Sequence, residues 1–208
     1  MKPMKKIITI GRELGSGGRT IGKMLANRLG IPYYDRELID EAAGNSGLSS
    51  RYIESNEQRV TSSLLYNLAM GTSYGYGILQ NANQQTLPLE EQVYIAQQEV
   101  ITKYADKGSC VIVGRCADQI LADRGDVLKV FIYSDLKSRV ERAVKEYGMQ
   151  RSSAEKDIKQ SDKARGQHYY RFTEKTWGDR HNYDLMLNSA VLGFENCVKI
   201  ICKATEEP

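Results

Sequence analysis

The chain has 208 residues, 41% of them hydrophobic and 26% charged, with a formal net charge of +3. That length carries one sizeable core with room for an inserted subdomain. The small net charge, spread along the chain, excludes an extended nucleic-acid surface, and no stretch approaches the ~20 apolar residues that span a bilayer. Cys110, Cys116, Cys197 and Cys202 form no C-x-x-C pair and no metal-ligand spacing with His168 or His181, so they read as reduced, mostly buried thiols of a cytoplasmic protein. Met1 to Lys6 is basic, but the apolar run that follows is too short for a signal-peptide core and is interrupted by Thr9.

Ile7 to Ile10 is β-branched throughout, which suits a central parallel strand buried on both faces. A loop with Gly11, Gly15, Gly17 and Gly18 follows, and then Ile21, Met24, Leu25, Arg28 and Leu29 recur at helical spacing until Gly30 closes the helix before Ile31-Pro32. Backbone N–H groups of such a loop, leading directly into a helix N-terminus, form a concave anion site suited to phosphates. Tyr33-Tyr34-Asp35 begins or abuts a second strand beside that site. Asp35 reads equally well as a substrate contact or as the cap of the next helix.

From Arg36 to Lys107 the pattern predicts helices over residues 37–43 and 49–69, a loop without period over residues 71–88 that is mobile or a solvated excursion, and a long helix after Pro88. Ser109 to Val113 is the next buried strand, with Gly114-Arg115 at its carboxyl end, where ligands of open α/β sheets bind. Val127 to Tyr133 is a strand, and the helix from Asp135 to Tyr147 carries Arg139 and Arg142 on one face. Residues 148–173 are highly charged and read as a solvated helical pair or as a lid that closes over phosphates. Residues 183–188 form a short strand and 193–203 a terminal helix. His168 and His181 read as structural or exposed, and Trp177 as packing the terminal region.

With these elements in place, Gly15 to Gly30, GSGGRTIGKMLANRLG, follows without a gap the loop and helix of the P-loop nucleoside monophosphate kinases, and the chain most closely resembles the cytidylate kinase-like family. Tyr34-Asp35, Gly114-Arg115 after a strand, the Arg139/Arg142 helix, the Asp162-x-x-Arg165 lid element and the run from Tyr183 to Ser189 extend the resemblance over nearly the whole chain. It implies a three-layer α/β/α P-loop NTPase fold with a central parallel sheet, a helical substrate-binding insertion and a lid. In that organisation residues 1–208 are a single kinase domain: phosphate-loop unit 1–35, acceptor-binding insertion 36–107, core 108–147, lid 148–173, and closing strand and helix 174–208.

The resemblance further implies transfer of a phosphoryl group from ATP, with Mg²⁺, to a nucleoside monophosphate, CMP or dCMP first, by a monomer or homodimer acting on small-molecule nucleotides and on neither nucleic acid nor membrane. Gly11, Gly15, Ser16, Gly17, Gly18 and Arg19 would cradle the donor phosphates, with Thr20 the hydroxyl nearest nucleotide or metal. Asp35, Arg36 and Arg115 would meet the acceptor, while Arg19, Arg139, Arg142 and Arg165 would neutralise donor and transferring phosphates. The plain alternative for the last three is an ordinary surface charge.

Several positions depart from the pattern. The strict motif G-x-x-x-x-G-K-[ST] fails: Gly18 occupies the lysine slot and Arg19 the slot after it. A one-residue shift would put Arg19 in the lysine slot and Thr20 in the hydroxyl slot, but would break the helix match. Arg19, Lys23 and Arg12 are the candidates for the missing charge, and a planar guanidinium would not reproduce a lysine bridge. Cys116 follows Gly114-Arg115 where the family has aspartate, with Asp118 out of register, and Ile158-Lys159 stands where the lid usually has Arg-Asp. Two alternatives therefore stay open: a kinase for another small molecule on the same fold, and a non-catalytic nucleotide-binding module.

Overall fold

In the computed structural model the described residues are 7–35, Glu41 and 88–206. The predicted helices over 37–43 and 49–69, the loop 71–87 and Arg36 lie outside them, apart from Glu41.

Strand β1 (Ile7–Arg12) is the centre of a five-stranded, wholly parallel sheet. Its neighbours are β3 (Cys110–Val113) and β4 (Val127–Tyr133), and β2 (Tyr33–Tyr34) and β5 (Leu185–Asn188) flank these, giving the order β2-β3-β1-β4-β5. The register pairs Ile7 with Cys110 and Val127. Side chains alternate across a strand, so a sheet covered on both faces needs apolar residues at nearly every position. Ile7, Cys110, Ile112 and Val127 enter one core, with Val93, Val100 and Ile101 of helix α2 (Leu89–Asp106). Ile8, Ile10, Val111 and Val130 enter the other, with Ile21 and Leu25 of α1 (Gly18–Leu29). Each fully buried side chain of this size contributes about 1.5–3 kcal/mol.

The helices end as the sequence directs. Gly30, at φ 65°, closes α1 in the left-handed conformation. The short helix α3 (Ala117–Ile120) leaves β3. Asp135 caps α4 (Leu136–Tyr147) by accepting the Ser138 amide at 2.9 Å, and Gly148 terminates it at φ 67°. One expectation is corrected: residues 148–173 are not a helical pair, because α5 runs unbroken over Arg151–Thr173. Gly166, the natural place for a break, stays inside the helix, and a Cβ there would meet nothing within 4 Å. Helices α6 (Ser189–Leu192) and α7 (Phe194–Thr205) complete the chain, with Val198 and Ile201 of α7 packed beside α1. The cysteines are free thiols, with Cys110, Cys116 and Cys197 buried. Among the described residues no helix is long and apolar enough to cross a membrane.

Because every strand points the same way, the carboxyl ends of all five lie at one edge of the sheet, and the connections after β1, β3, β4 and β5 start there. Gly114 N–H reaches the Ile10 carbonyl at 3.0 Å there, drawing the ends of β1 and β3 together. This is the edge where open α/β sheets bind ligands.

Candidate active site

The loop between β1 and α1 is held in a fixed shape from behind. Arg139, only 6% exposed, donates from Nε to the Leu14 carbonyl at 2.8 Å and pairs with Glu13 at 3.2 Å and with Asp162. Arg142 donates to the Gly15 carbonyl at 2.9 Å and lies 4.4 Å from the centre of the Phe194 ring. Ser16 is fully buried, donating its hydroxyl to the Glu13 carbonyl at 2.9 Å, while its own carbonyl accepts the Ser189 hydroxyl at 2.5 Å. Gly15 sits at φ 81°, where a Cβ would lie 2.6 Å from the Arg139 carbonyl oxygen, so only glycine serves. The backbone N–H groups of Gly15, Gly17, Gly18, Arg19 and Thr20 have no hydrogen-bond partner among the described residues. Such free donors at a helix start form an anion site. Leu14 N–H, by contrast, already donates to Asp162 at 2.9 Å.

Beside the loop lies a cleft lined by Arg12, Arg19, Arg115 and Arg165, together with Asp118, His168, Tyr169 and Trp177. Its floor is the turn after β3, where Gly114, Arg115 and Cys116 take φ values of 77°, 57° and 54°. Left-handed conformations at non-glycine residues cost about 1–3 kcal/mol each and cluster at functional sites. This turn brings Asp118 of α3 into the cleft wall, where it accepts Tyr169 Oη at 2.6 Å and Gln119 at 3.0 Å. Burial pushes the Asp118 carboxyl above its usual range. Asp35 gathers Arg19 at 2.8 Å and Arg12 at 3.9 Å on its carboxylate, and its carbonyl accepts Arg115 Nε at 3.3 Å.

The guanidinium groups are crowded. Burial, then the neighbouring Arg12, pulls Arg165 down to about 9, and burial lowers Arg12 as well. Among the described residues Asp35 pairs with Arg12 and Arg19, and Asp162 with Arg165 at 3.4 Å.

The predicted residues take different places: Gly15, Ser16, Gly17, Gly18 and Thr20 form the loop and the helix start beside the cleft. Gly11, Arg19, Arg115 and Arg165 line the cleft, with Asp35 buried at its edge. Arg139 and Arg142 do not line it; they clamp the loop carbonyls. Thr20 is half-buried in the first turn of α1, and among the described residues no group of three acidic, histidine or cysteine side chains could hold a metal. Magnesium suits such a setting, since it keeps water and substrate oxygens as ligands. Sequence reasoning missed Tyr169 and set Asp118 aside, because both reach the cleft only through the left-handed turn and the unbroken α5. Trp177, expected to pack the terminal region, also lines the cleft, edge-on to Phe131 at 5.3 Å. His168 stands in the wall with a buried Nε2 that has no hydrogen-bond partner among the described residues.

The chain is similar to small-molecule kinases. A shikimate kinase of Zymomonas mobilis subsp. mobilis is 29% identical over 143 residues, covering 62% of this chain and 80% of that one. A cytidylate kinase of Archaeoglobus fulgidus is 22% identical over 204 residues, 96% and 94% of the two chains. A solved structure of an uncharacterized protein from Eubacterium ventriosum superposes with a TM-score of 0.70 at 27% identity, over 97% of this chain and 99% of the other. The cytidylate kinase-like family model matches residues 7–191, and the chain belongs to that family.

Proposed function

We propose that the protein transfers the γ-phosphoryl group of ATP to a small anionic acceptor, with CMP or dCMP as first candidate. The observation that carries this reading is the cleft beside the loop, where Arg12, Arg19, Arg115 and Arg165 converge. Phosphoryl transfer asks a protein mainly to position two anions and neutralise their charge. In this reading the amides of Gly15, Gly17, Gly18, Arg19 and Thr20 hold the donor phosphates. Arg115, with Asp35 and Arg36, holds the acceptor. Arg19 and Arg165 lie between the two, and Arg139 and Arg142 act as positioning residues that keep the loop open.

The bond from the γ-phosphorus to its β–γ bridging oxygen breaks as the acceptor oxygen bonds to phosphorus, and ADP leaves. The Thr20 hydroxyl would be the side chain to meet magnesium, which would supply neutralisation of phosphate charge. The reading takes the protein as cytoplasmic, a monomer or homodimer, with residues 36–107 as acceptor insertion and 148–173 as lid.

The buried Asp118 favours a second reading, in which the acceptor is a small hydroxy acid whose hydroxyl a carboxylate can receive; the similarity to a shikimate kinase supports it. One experiment separates the readings: the purified protein is incubated with MgATP and each nucleoside monophosphate, deoxynucleotide and shikimate, and ADP release is followed. Product with CMP or dCMP supports the first reading, product with shikimate the second. ATP binding without product from any acceptor leaves a nucleotide-binding module and overturns both.

A further inference from the structure

Resting on the donor half of that reading, we infer that Arg12 is the phosphate-bridging cation of this site, and that position 18 is glycine because the Arg12 stem fills the space a lysine would need. Set against G-x-x-x-x-G-K, the chain keeps Gly17 but has Arg12 in the first glycine slot and Gly18 in the lysine slot. The two departures are one event in space. A Cβ on Gly18 would lie 2.5 Å from Arg12 Cβ and 3.0 Å from Arg12 Cγ, and 3.5 Å from Ile132 Cβ. The Arg12 atoms are fixed by the end of β1 and cannot swing aside as a side-chain tip would. A large cationic residue is therefore accommodated at 12 or at 18, not at both.

The Arg12 head is aimed for the task. Its side chain is 13% exposed and lines the cleft, and its guanidinium runs over Gly114, where a Cβ would lie 1.8 Å from Nη1. Glycine at 114 gives it passage between the loop and Arg115. Asp35 at 3.9 Å is its only carboxylate partner within 4 Å among the described residues, and Asp35 is held more tightly by Arg19 at 2.8 Å. A buried guanidinium with so distant a partner is matched to an anion brought by a ligand. Arg19, the other candidate for the lysine's charge, is more than half exposed and committed to Asp35. Lys23 lies over the Tyr33 ring, 5.8 Å from its centre, and does not line the cleft.

The test is ATP affinity by titration calorimetry with Mg²⁺, on the wild type and on Arg12→Met, Arg12→Lys, Arg12→Gly and Arg12→Gly/Gly18→Lys, with folding checked by circular dichroism. Arg12→Met should weaken ATP binding roughly 10-fold or more, the loss expected when a charged hydrogen bond is removed, and Arg12→Lys should restore most of it. Arg12→Gly should regain affinity on addition of millimolar guanidinium, which a purely structural defect would not, and Gly18→Lys placed on Arg12→Gly should regain it without the additive. ATP affinity unchanged in Arg12→Met, or a folded Gly18→Lys single variant that binds ATP as the wild type does, overturns the assignment. A wild type that binds no ATP overturns the parent reading instead. If Arg12→Met does not fold, the double variant against Arg12→Gly decides: equal affinities overturn the assignment.

Discussion

The phosphate loop and the neighbouring cleft are both built around arginines, and they use them in opposite ways. Behind the loop, Arg139 and Arg142 spend their donors on the carbonyls of Leu14 and Gly15, with Glu13, Asp162 and Glu146 balancing the charge. In the cleft, Arg12 and Arg165 are half-buried near other guanidinium groups, Arg165 with Asp162 at 3.4 Å and Arg12 with Asp35 at 3.9 Å, and burial with that crowding depresses both. The same side chain thus braces the loop in one region and, in the reading proposed above, receives a ligand in the other. Counting arginines near a glycine loop does not distinguish the two roles; the partners do.

The sharpest way to break this comparison is to remove the brace. Arg139→Ala takes one cation from Asp162 and Glu13 and frees the Leu14 carbonyl, while Asp162 keeps Arg165 at 3.4 Å; a change of about 3–5 kcal/mol is the upper end for a broken buried pair. For a chain of this size that corresponds to a melting temperature roughly 6–20 °C lower. Thermal unfolding followed by circular dichroism checks it, and a loss of less than ~1 kcal/mol would place Arg139 with ordinary surface charges.

The smallest expected effect is in the cleft wall and depends on pH. Burial, then the charges of Arg115 and Arg171, holds His168 down to about 4 from its ordinary 6.5. Between those values the unfolded chain takes up a proton that the folded one refuses, so stability falls as pH drops through that window. His168→Gln should lose less melting temperature than the wild type between pH 7 and pH 5. Equal losses would mean that His168 is solvated.

Much of this architecture is legible in the residues. Ile7 to Ile10 and Val127 to Tyr133 are unbroken apolar runs, and a strand buried on both faces has no other composition open to it. Gly30 and Gly148 mark helix ends because only glycine enters the left-handed region at no cost. Residues 148–173 read as a helical pair or a lid in the sequence because their charged, aliphatic-poor pattern gives no periodic stripe; Ala154, Ile158, Ala164 and Tyr169 are the only buried residues of α5. The site is legible where chain-local chemistry makes it, in the loop and at Arg115. It is not legible where distant segments meet. Asp118 looks out of register in one dimension, and the left-handed turn at Arg115-Cys116 is what turns it into the cleft. That Gly18 and Arg12 form a single substitution is likewise visible only when the Arg12 stem is seen to cover Gly18.

The central claim, that the loop amides with Arg12 hold the donor while Arg115 holds the acceptor, is tested most directly by steady-state kinetics of Arg115→Ala with whichever acceptor the panel identifies. The account predicts that KM for the acceptor rises roughly 10- to 150-fold, the cost of a lost charged hydrogen bond, while KM for ATP stays within about twofold. A rise in KM for ATP with the acceptor's unchanged would contradict it.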